Sequence, residues 1–475
     1  MNPSAKLPLY VDLDGTFIKS DMLFESLFCL LKQHPLKLFS VPFWLLKGKA
    51  HLKNKINESI DIDISSIPVN EQTLAYLKKA KLEERKVVLA TASNQGIAKK
   101  FVSQYDVFDD YVASDPKHNL KGKNKTKKIQ SIDPDFAYMG NSSEDFEVFC
   151  EAQHSVLVNP TKKAKRLHAK HPVDEVLESE AISTLKVWKK QLRLHQWVKN
   201  FLIFVPILVS SNFTQISLVV ATILGFVFFG MLASATYIVN DLLDLDNDRV
   251  HRTKKDRPLA ACKISIPSGI MVAFLMTFIA FAGALLLSLK FAVVLLAYLF
   301  LTLSYSLKLK RYFAMDVIAL AGLYTIRIFA GAALIGVNVS FWLLSFSMFI
   351  FLSLALVKRC TELVAIKQQN KDHVSGRDYS VTDLTVFTSF GATSAMMSLL
   401  MYCFYMESGV LADQYQEPDL LWLSLPALGY WLMRMWVKTL RGEMHDDPIV
   451  YSLKDHGSIV ALSFVFVTTV LALLL

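Results

Sequence analysis

The sequence predicts two parts: a soluble α/β domain, followed by an all-α domain that crosses a membrane several times. Of the 475 residues, 53% are hydrophobic and only 20% are charged, whereas a typical soluble chain carries about 25% charged residues. Residues 1–160 mix short apolar runs with many charges, but from about residue 200 onward long apolar runs dominate. This composition excludes a single water-soluble globule, and the length allows two or three domains.

Nine apolar runs predict membrane-spanning helices. They cover roughly residues 200–211, 216–239, 265–289, 291–305, 314–337, 341–357, 384–407, 418–436 and 457–475. Most are close to the roughly 20 residues that a helix needs to cross a bilayer. The segments after the even-numbered runs hold seventeen lysines and arginines, and those after the odd-numbered runs hold one, Lys290. The positive-inside rule therefore predicts that residues 1–160 lie on the cytoplasmic side. We expect a multi-pass protein of a bacterial inner (plasma) membrane.

The basic residues also indicate the partners. The formal net charge is +9, and a basic run begins the segment 161–190. We expect this segment to be an amphipathic linker at an anionic membrane surface, with an ordinary solvated linker as the alternative. The charge thus favours anionic lipid and phosphorylated substrates and argues against nucleic acid.

Four segments of residues 1–160 carry groups suited to phosphate chemistry. Asp12 and Asp14 follow an apolar strand, and Thr91 ends a second one. Lys125 lies in a lysine-rich segment, and a third strand leads into an acidic turn that ends at Asp145. Open α/β sheets bind ligands at the carboxyl ends of their strands. There, one carboxylate can attack phosphorus while another protonates the leaving oxygen.

In order and spacing these motifs resemble the haloacid dehalogenase (HAD) phosphatase superfamily over residues 1–160. The resemblance implies a Rossmann-type parallel sheet with a helical cap at about residues 18–80. It also implies roles for individual residues: Asp12 as nucleophile, Asp14 as acid/base, Thr91 and Lys125 as phosphate ligands, and Asp12 with Asp145 at Mg²⁺.

The sequence departs from that family at Asn141, where an aspartate is usual. Loss of this charge weakens the implied metal site, so a domain that only serves as a scaffold is the alternative. The cap is unusually apolar, with runs at 26–31 and 38–46. We expect it either to pack against the phosphatase core or to lie on the bilayer and admit a lipid-borne phosphate.

The densest acidic cluster of the membrane part begins at Asn240 and follows the second predicted span. Asp241, Asp244 and Asp248 are three and four residues apart, which predicts that they share one face of a helix. Three neighbouring carboxylates are stable mainly when divalent cations bridge them, and Mg²⁺ usually completes its shell with phosphate oxygens. The cluster therefore predicts a diphosphate substrate, and the basic residues that follow, including Arg257, favour a departing diphosphate.

This NDxxDxxxDR pattern on a multi-span chain resembles the UbiA-type intramembrane prenyltransferase superfamily over residues 191–475. Aromatic prenyltransferases of that superfamily usually show a second cluster spaced DxxxD, where this chain has only a lone Asp316. The sequence is therefore more similar to the branch that forms decaprenyl-phosphate phosphoribose. That resemblance implies Mg²⁺ at Asp241, Asp244 and Asp248, phosphoribosyl pyrophosphate as donor and a polyprenyl phosphate as acceptor.

Several basic and polar side chains are expected to bind the phosphates of the donor or the lipid: Lys199, Asn240, Arg257, Lys308, Lys310 and Arg359. Arg327, inside the fifth predicted span, is expected to pair with a phosphate or with Asp316. The segments 193–200, 358–362 and 446–450 all fall on the predicted cytoplasmic side, where we expect them to meet.

The predicted function is a Mg²⁺-dependent transfer of phosphoribose to a polyprenyl phosphate, with a fused phosphatase that removes the 5-phosphate of the product. Two alternatives remain open. One is prenyl transfer from a polyprenyl diphosphate to an aromatic or other acceptor, and the other is a non-catalytic membrane scaffold or transporter.

Overall fold

The computed structural model describes residues 7–115, 118–178, 183–210, 212–370, 372, 378–408, 415–444 and 447–475. The chain forms two compact units. The first consists of Met1–Gln191 with Asp241–Met271, and the second of Leu192–Asn240 with Val272–Leu475. The segment that follows the second predicted span thus packs with the N-terminal domain.

A six-stranded parallel sheet forms the centre of the first unit. Its strands are β1 (Leu9–Val11), β2 (Val87–Asn94), β3 (Asp110–Ser114), β4 (Ala137–Gly140), β5 (His154–Val158) and β6 (Glu175–Leu177), in the order β3-β2-β1-β4-β5-β6. The strand order reverses at β1, and such a switch point opens a crevice at the carboxyl ends of the strands. The apolar side chains of β1 and its neighbours are buried on both faces, as parallel sheets require. The topology confirms the predicted α/β fold with a parallel sheet.

Nine helices accompany this sheet among the described residues of the N-terminal domain. They are α1 (Met22–Gln33), α2 (Val41–Leu46), α3 (Lys49–Ser59), α4 (Glu71–Leu82), α5 (Gln95–Gln104), α6 (Lys123–Gln130), α7 (Phe146–Glu151), α8 (Lys162–His168) and α9 (Thr184–Gln191). The predicted cap is helical and contains α1 to α4. Asp21 caps α1 by accepting a hydrogen bond from the Leu23 amide at 2.8 Å, and Leu30 packs against Leu52 and Ile56 of α3.

The domain extends beyond residue 160. Helix α8 and strand β6 both lie in the segment predicted as a linker, 161–190, and β6 pairs with β5. Strand β6 is a short edge strand whose residues are only half-buried or exposed, so it lacks the apolar run that marks β1 and β2. This explains why the sequence suggested a boundary at 160.

The helices that follow lie mostly in the second unit, and the short helix Leu245–Val250 among them lies in the first unit. They are α10 (Val205–Val209), α11 (Ile216–Leu243), α12 (Leu245–Val250), α13 (Ile266–Leu287), α14 (Leu289–Leu307), α15 (Met315–Ile335), α16 (Phe341–Gln368), α17 (Leu384–Glu407), α18 (Ser424–Leu440), α19 (Pro448–Ser452) and α20 (His456–Leu474). Within the described residues, seven helices are long and apolar enough to cross a membrane: α11, α13 to α17 and α20.

Two of the nine predicted spans form shorter elements. The run at 200–211 contains the end of a 3₁₀ helix, Leu194–Phe204, and the five-residue α10 with Pro206 in its first turn. The run at 418–436 is divided between a 3₁₀ segment, Pro418–Leu423, and α18. Proline fits the first turn of a helix but not its interior, so these apolar runs do not form single long helices.

Candidate active sites

The first candidate site lies at the carboxyl end of β1. Lys125, on α6, places its Nζ 2.8 Å from Oδ1 of Asp12 and 3.2 Å from Oδ1 of Asp145. The same ammonium donates to the hydroxyl of Tyr138 at 2.9 Å, and that hydroxyl donates to Asp145 at 2.7 Å. These four side chains are buried. Several lysines lie close together in residues 121–128. Lys125, the lysine expected from the motif spacing, is the one that contacts both Asp12 and Asp145.

Burial and neighbouring charge determine the protonation of this cluster. Burial raises the pKa of Asp12, and the ammonium of Lys125 opposes that shift. Burial alone would lower the pKa of Lys125, but Asp12 and Asp145 raise it above its ordinary value. Burial also opposes ionisation of Asp145, yet Lys125 and the hydroxyl of Tyr138 hold the pKa of that carboxyl below its usual range. The ammonium therefore stays charged between the two aspartates.

Asp14 connects the sheet to the cap. Its carboxylate accepts hydrogen bonds from the backbone amide of Met22 at 2.7 Å and from the hydroxyl of Ser93 at 3.1 Å. Burial raises the pKa of Asp14 to about 6. A carboxyl group that keeps its proton up to this pH suits the predicted acid/base role.

A pocket of about 700 Å³ opens over these carboxylates. Asp12, Asp14 and Asp145 line it together with five lysines: Lys19, Lys49, Lys53, Lys121 and Lys125. Asp21, Glu144 and Arg249 also line it, so six cationic and five acidic side chains surround one pocket. Such a lining suits a phosphate ester with bound metal better than a neutral ligand.

Two residues of the predicted motifs take unexpected positions. Thr91 is fully buried, and its hydroxyl accepts from the Ser93 amide at 2.9 Å. Ala92 lines the pocket in its place, so the structure does not present Thr91 as the expected phosphate ligand. Asn141 does line the pocket. Gly15 adopts a φ of +74°, and a Cβ there would lie 2.1 Å from Nδ2 of Asn141.

Sequence reasoning missed the lysines of the cap. Lys53 lines the pocket and donates to the backbone carbonyl of Ala92 at 2.6 Å. Lys49 and Lys53 are four residues apart on α3, which places them on one helix face. That spacing was the available signal, although it does not identify the ligand.

The second candidate site contains aspartates at the end of α11 and in α12, and it lies within the first unit. The guanidinium Nη1 of Arg257 is 3.1 Å from Oδ1 of Asp241 and 2.6 Å from Oδ2 of Asp248. Gln191 donates to Asp241 at 2.9 Å. Both aspartates are buried, so two carboxylates converge on one cationic atom.

The three aspartates do not share the face of one continuous helix. Helix α11 ends at Leu243 and α12 begins at Leu245, with Asp244 as the half-buried residue between them. Asp244 is the N-cap residue of α12, and the three-and-four spacing alone does not reveal such a break. Across the described ranges, no group of three or more His, Cys, Asp or Glu side chains is arranged to hold a metal ion. Two of the three expected carboxylates, Asp241 and Asp248, thus converge on Arg257, and the metal-binding role of Asp244 stays a prediction.

A third cluster lies within the second unit. Lys199 and Lys358 place their ammonium groups 2.7 and 3.2 Å from Oδ2 of Asp447. The hydroxyl of Tyr324 donates to the same carboxylate at 3.2 Å. The three segments expected to meet, 193–200, 358–362 and 446–450, therefore do so through these residues. Asp446, which begins the last segment, lies outside the described residues.

Arg327 and Arg359 have different partners from each other. Arg327 donates to Oδ1 of Asn200 at 2.9 Å, and its guanidinium lies 5.2 Å from the ring centre of Phe229. The expected pairing of Arg327 with Asp316 is wrong, because Nε of Arg359 lies 2.6 Å from Oδ2 of Asp316. Arg327 is eleven residues along α15 from Asp316, a separation of about 16 Å on a helix.

The remaining predicted phosphate ligands lie at helix ends. Asn240 is half-buried in the last part of α11, Lys308 is exposed just after α14, and Lys310 is half-buried in the 3₁₀ turn that follows. The ammonium of Lys308 lies 6.0 Å from the ring centre of Tyr312. Their roles as phosphate ligands stay predictions.

The family model described as the UbiA prenyltransferase family matches residues 201–472, more than half of the chain. The chain belongs to the UbiA prenyltransferase family. It is 37% identical to protein y4nM of Sinorhizobium fredii, over 97% of this chain and 91% of that protein. It is 30% identical to decaprenyl-phosphate phosphoribosyltransferase of Mycobacterium tuberculosis, over 45% of this chain and 73% of that protein.

A solved UbiA homologue from Archaeoglobus fulgidus, bound to GPP and Mg²⁺, is 16% identical to this chain. The match covers 60% of this chain and 99% of that one, with a TM-score of 0.46. UbiA membership confirms the predicted family of the membrane part and, with the seven apolar helices, an integral multi-pass membrane protein.

Proposed function

We propose that this UbiA protein transfers phosphoribose from phosphoribosyl pyrophosphate to a polyprenyl phosphate, and that its N-terminal domain hydrolyses the 5-phosphate of the product. The observation that carries the choice of donor is the environment of Asp316. Its carboxylate is fully buried and lies 2.6 Å from the equally buried guanidinium of Arg359. A second aspartate cluster for metal is the pattern typical of prenyl transfer, and here its lone aspartate is already neutralised by an arginine.

The similarity to decaprenyl-phosphate phosphoribosyltransferases supports the same choice. A sugar diphosphate has one group to activate, its diphosphate, and the acidic pair at Asp241 and Asp248 suits that task. Prenyl transfer to an aromatic or other acceptor and a non-catalytic scaffold or transporter are the competing outcomes of the experiment below.

The pair of Asp241 and Asp248 fits a divalent cation. The two carboxylates converge on a single positive atom of Arg257, so the position already favours a cation in the folded chain. A pair of carboxylates is also the usual protein contribution to Mg²⁺, which takes its other ligands from water and phosphate. When bound, Mg²⁺ would neutralise the diphosphate leaving group. Arg257 supplies a further positive charge for the departing diphosphate.

The cluster at Lys199 and Lys358 suits a phosphate group. Asp447 fixes both ammonium groups through contacts of 2.7 and 3.2 Å, which reduces the conformational entropy lost when they bind an anion. In the proposed reaction an anionic oxygen of the lipid phosphate attacks the anomeric carbon of the ribose. The bond from that carbon to the diphosphate breaks, and the diphosphate departs with the electron pair, so no general base is required.

The phosphatase reaction is assigned to the cluster at β1. A carboxylate oxygen of Asp12 attacks the phosphorus while the bond from phosphorus to the ester oxygen breaks, and Asp14 donates its proton to that leaving oxygen. Asp14 then takes a proton from the water that attacks the phosphorus of the aspartyl phosphate, which releases inorganic phosphate and restores both carboxyl groups. Asp12 and Asp145 both contact the ammonium of Lys125, which supports the proposal that these two carboxylates would hold Mg²⁺. The ion would neutralise charge on the phosphoryl group. Asn141 contributes an amide to the pocket where the family usually has a carboxylate.

The test uses membranes that contain the full chain. They are incubated with phosphoribosyl pyrophosphate labelled in the ribose and with a polyprenyl phosphate, and the label in the lipid fraction is measured. We expect lipid-soluble label that disappears in Asp241→Ala. A parallel incubation with a labelled polyprenyl diphosphate and an aromatic acceptor tests prenyl transfer. Label only in this second incubation would overturn the proposal, and activity unchanged by Asp241→Ala would favour a non-catalytic protein.

A second arm tests the phosphatase. Asp12→Asn should leave the transfer intact while the lipid product keeps its 5-phosphate, which is measured by the charge and mass of the product. If the product of the unmodified chain also keeps its 5-phosphate, the phosphatase assignment is refuted without affecting the transferase.

A further inference from the structure

The phosphatase pocket has a wall that comes from outside the HAD-like sequence. Besides residues 12–161, the pocket is lined by the segment after the UbiA aspartates: Arg249, Leu259, Cys262, Ile264, Ser265, Ile266 and Pro267. All belong to the same compact unit as the sheet. Ile266 and Pro267 are also the first residues of α13, one of the seven apolar helices long enough to cross a membrane. An active-site pocket therefore includes the first residues of a candidate membrane span.

We propose that this wall, residues 249–267, selects a phosphate ester carried on a membrane lipid and that Arg249 positions the cap against it. The proposal rests on the phosphatase function proposed above and names the residues that recognise the lipid part of its substrate. It assigns a specificity role in the HAD-like site to residues of the UbiA sequence.

The chemistry of the pocket is divided between two kinds of lining. The five lysines accompany the catalytic carboxylates, whereas the wall contributes Leu259, Ile264, Ile266 and Pro267, which are apolar. A free sugar phosphate carries no apolar group for such a wall. A lipid with a phosphorylated headgroup has a phosphate for the lysines and an alkyl chain for the apolar wall. Because the pocket extends to the start of a membrane span, it would bind the headgroup while the alkyl chain stays in the bilayer.

The wall is tied to the cap by a buried ion pair. Arg249 donates to both carboxylate oxygens of Glu25, at 2.6 and 3.1 Å, and both side chains are almost fully buried. The same guanidinium lies 3.6 Å from Sγ of Cys262 on the wall. A bidentate arginine–carboxylate contact of this kind fixes orientation as well as distance.

Helix α1 connects this ion pair to the chemistry. Its residue Met22 donates its amide to Asp14 at 2.7 Å, and Glu25 lies one turn further along the same helix. A second ion pair joins helix α1 to the segment just before the wall, because Lys32 pairs with Asp246 at 2.8 Å. The acid/base residue, the cap helix and the wall are therefore linked through consecutive contacts, and Arg249 acts through Glu25 as a positioning residue.

The experiment compares two probes with the purified full chain. The probes are the methyl and the hexadecyl ribofuranoside 5-phosphates, the latter in detergent micelles, so the reacting phosphate is the same and only the alkyl chain differs. Released phosphate gives kcat and KM for each. We expect kcat/KM at least about tenfold higher for the hexadecyl probe, the discrimination that one or two methylene contacts provide.

Ile266→Ser tests the wall, and Ile270→Ser is its matched control, since Ile270 is exposed on the same helix and does not line the pocket. Ile266→Ser should lower kcat/KM for the hexadecyl probe about tenfold more than for the methyl probe. Ile270→Ser should change neither probe. Equal kcat/KM for the two probes, or equal losses on both in Ile266→Ser, would overturn the inference while leaving the phosphatase function standing.

Arg249 is tested by Arg249→Glu, Glu25→Arg and the two combined, with thermal stability measured for each. Both single variants should raise KM for the hexadecyl probe several-fold more than they lower kcat, and the charge-swapped pair should recover part of the loss. Equal losses in kcat for both probes, without recovery in the pair, would contradict the positioning role. If neither probe is hydrolysed by the unmodified chain, the phosphatase function itself is refuted together with this inference.

Discussion

The buried pair of Asp316 and Arg359 gives the sharpest test of the proposed donor. Both side chains are completely shielded from solvent, and Nε of Arg359 lies 2.6 Å from Oδ2 of Asp316. Arg359 also donates to Glu362 at 2.8 Å and to the hydroxyl of Tyr305 at 2.9 Å. If this pair is structural, substitutions of Asp316 and of Arg359 should lower the free energy of unfolding by different amounts. Neither substitution should abolish transferase activity.

The contacts determine the expected magnitudes. Arg359→Met leaves a buried carboxylate without this guanidinium, and breaking a buried pair in this way costs about 3–5 kcal/mol. Asp316→Asn keeps the shape and a hydrogen-bond acceptor, while Arg359 keeps its contact with the partly exposed Glu362. Its cost should be about 1–3 kcal/mol, the penalty for a buried polar group without a full partner. The double variant Arg359→Met/Asp316→Leu should recover stability relative to Arg359→Met, because it removes both charges.

The assay measures thermal unfolding in detergent by loss of the monodisperse peak, followed by transferase activity at a temperature where each variant is folded. Asp316→Asn should retain activity within about tenfold, whereas Asp241→Asn should lose about 100-fold or more, since it weakens charge stabilisation of the leaving group. An Asp316→Asn protein that is fully folded and as inactive as Asp241→Asn would refute the reasoning. It would mark Asp316 as a metal ligand and favour prenyl transfer.

Three further predictions concern the N-terminal domain. Asn141→Asp restores a carboxylate and should lower the Mg²⁺ concentration for half-maximal phosphatase activity about tenfold; no change in a magnesium titration would count against a metal site there. Because the pKa of Asp14 is raised to about 6, the carboxyl stays protonated below that pH. Hydrolysis of an alkyl phosphate should therefore fall as pH rises through about 6, while p-nitrophenyl phosphate, whose leaving group needs no proton, should show no such fall. A fragment of residues 1–191 should float with anionic liposomes, since Phe39 and Phe43 on the cap are exposed by 77% and 68%. The fragment with Phe39→Asp and Phe43→Asp should not float, although its circular dichroism spectrum should be unchanged.

Sequence patterns predicted the elements that carry strong local signals. Strands β1, β2 and β4 are apolar runs that end in motif residues, so the sheet edge and the contact of Lys125 with Asp12 followed from order and spacing. The pairing of Glu25 with Arg249 joins residues 224 positions apart, and no local pattern indicates it. The break between α11 and α12 was also missed, because the spacing of Asp241, Asp244 and Asp248 fits an unbroken helix equally well. Long-range pairing and helix interruption depend on packing, which hydropathy and spacing do not record.

Both acidic pairs of the first unit share one electrostatic arrangement: each holds a cation of the chain between two carboxylates. Arg257 lies between Asp241 and Asp248, and Lys125 lies between Asp12 and Asp145. Neighbouring buried carboxylates repel one another, so these cations allow the unit to fold before Mg²⁺ binds.

In the unmodified chain, Mg²⁺ should therefore be needed for activity but not for folding. In Lys125→Met, we expect Mg²⁺ to stabilise the fold as well. The unmodified chain should show a thermal midpoint that chelation with EDTA barely changes, although both activities are lost. In Lys125→Met the aspartates lose their internal cation, and magnesium at about 100 times its Kd should stabilise the fold by about 2.7 kcal/mol. Lys123→Met, at an exposed position on the same helix, is the matched control and should behave like the unmodified chain. A Lys125→Met protein whose thermal midpoint ignores Mg²⁺ would show that Asp12 and Asp145 do not form a metal site.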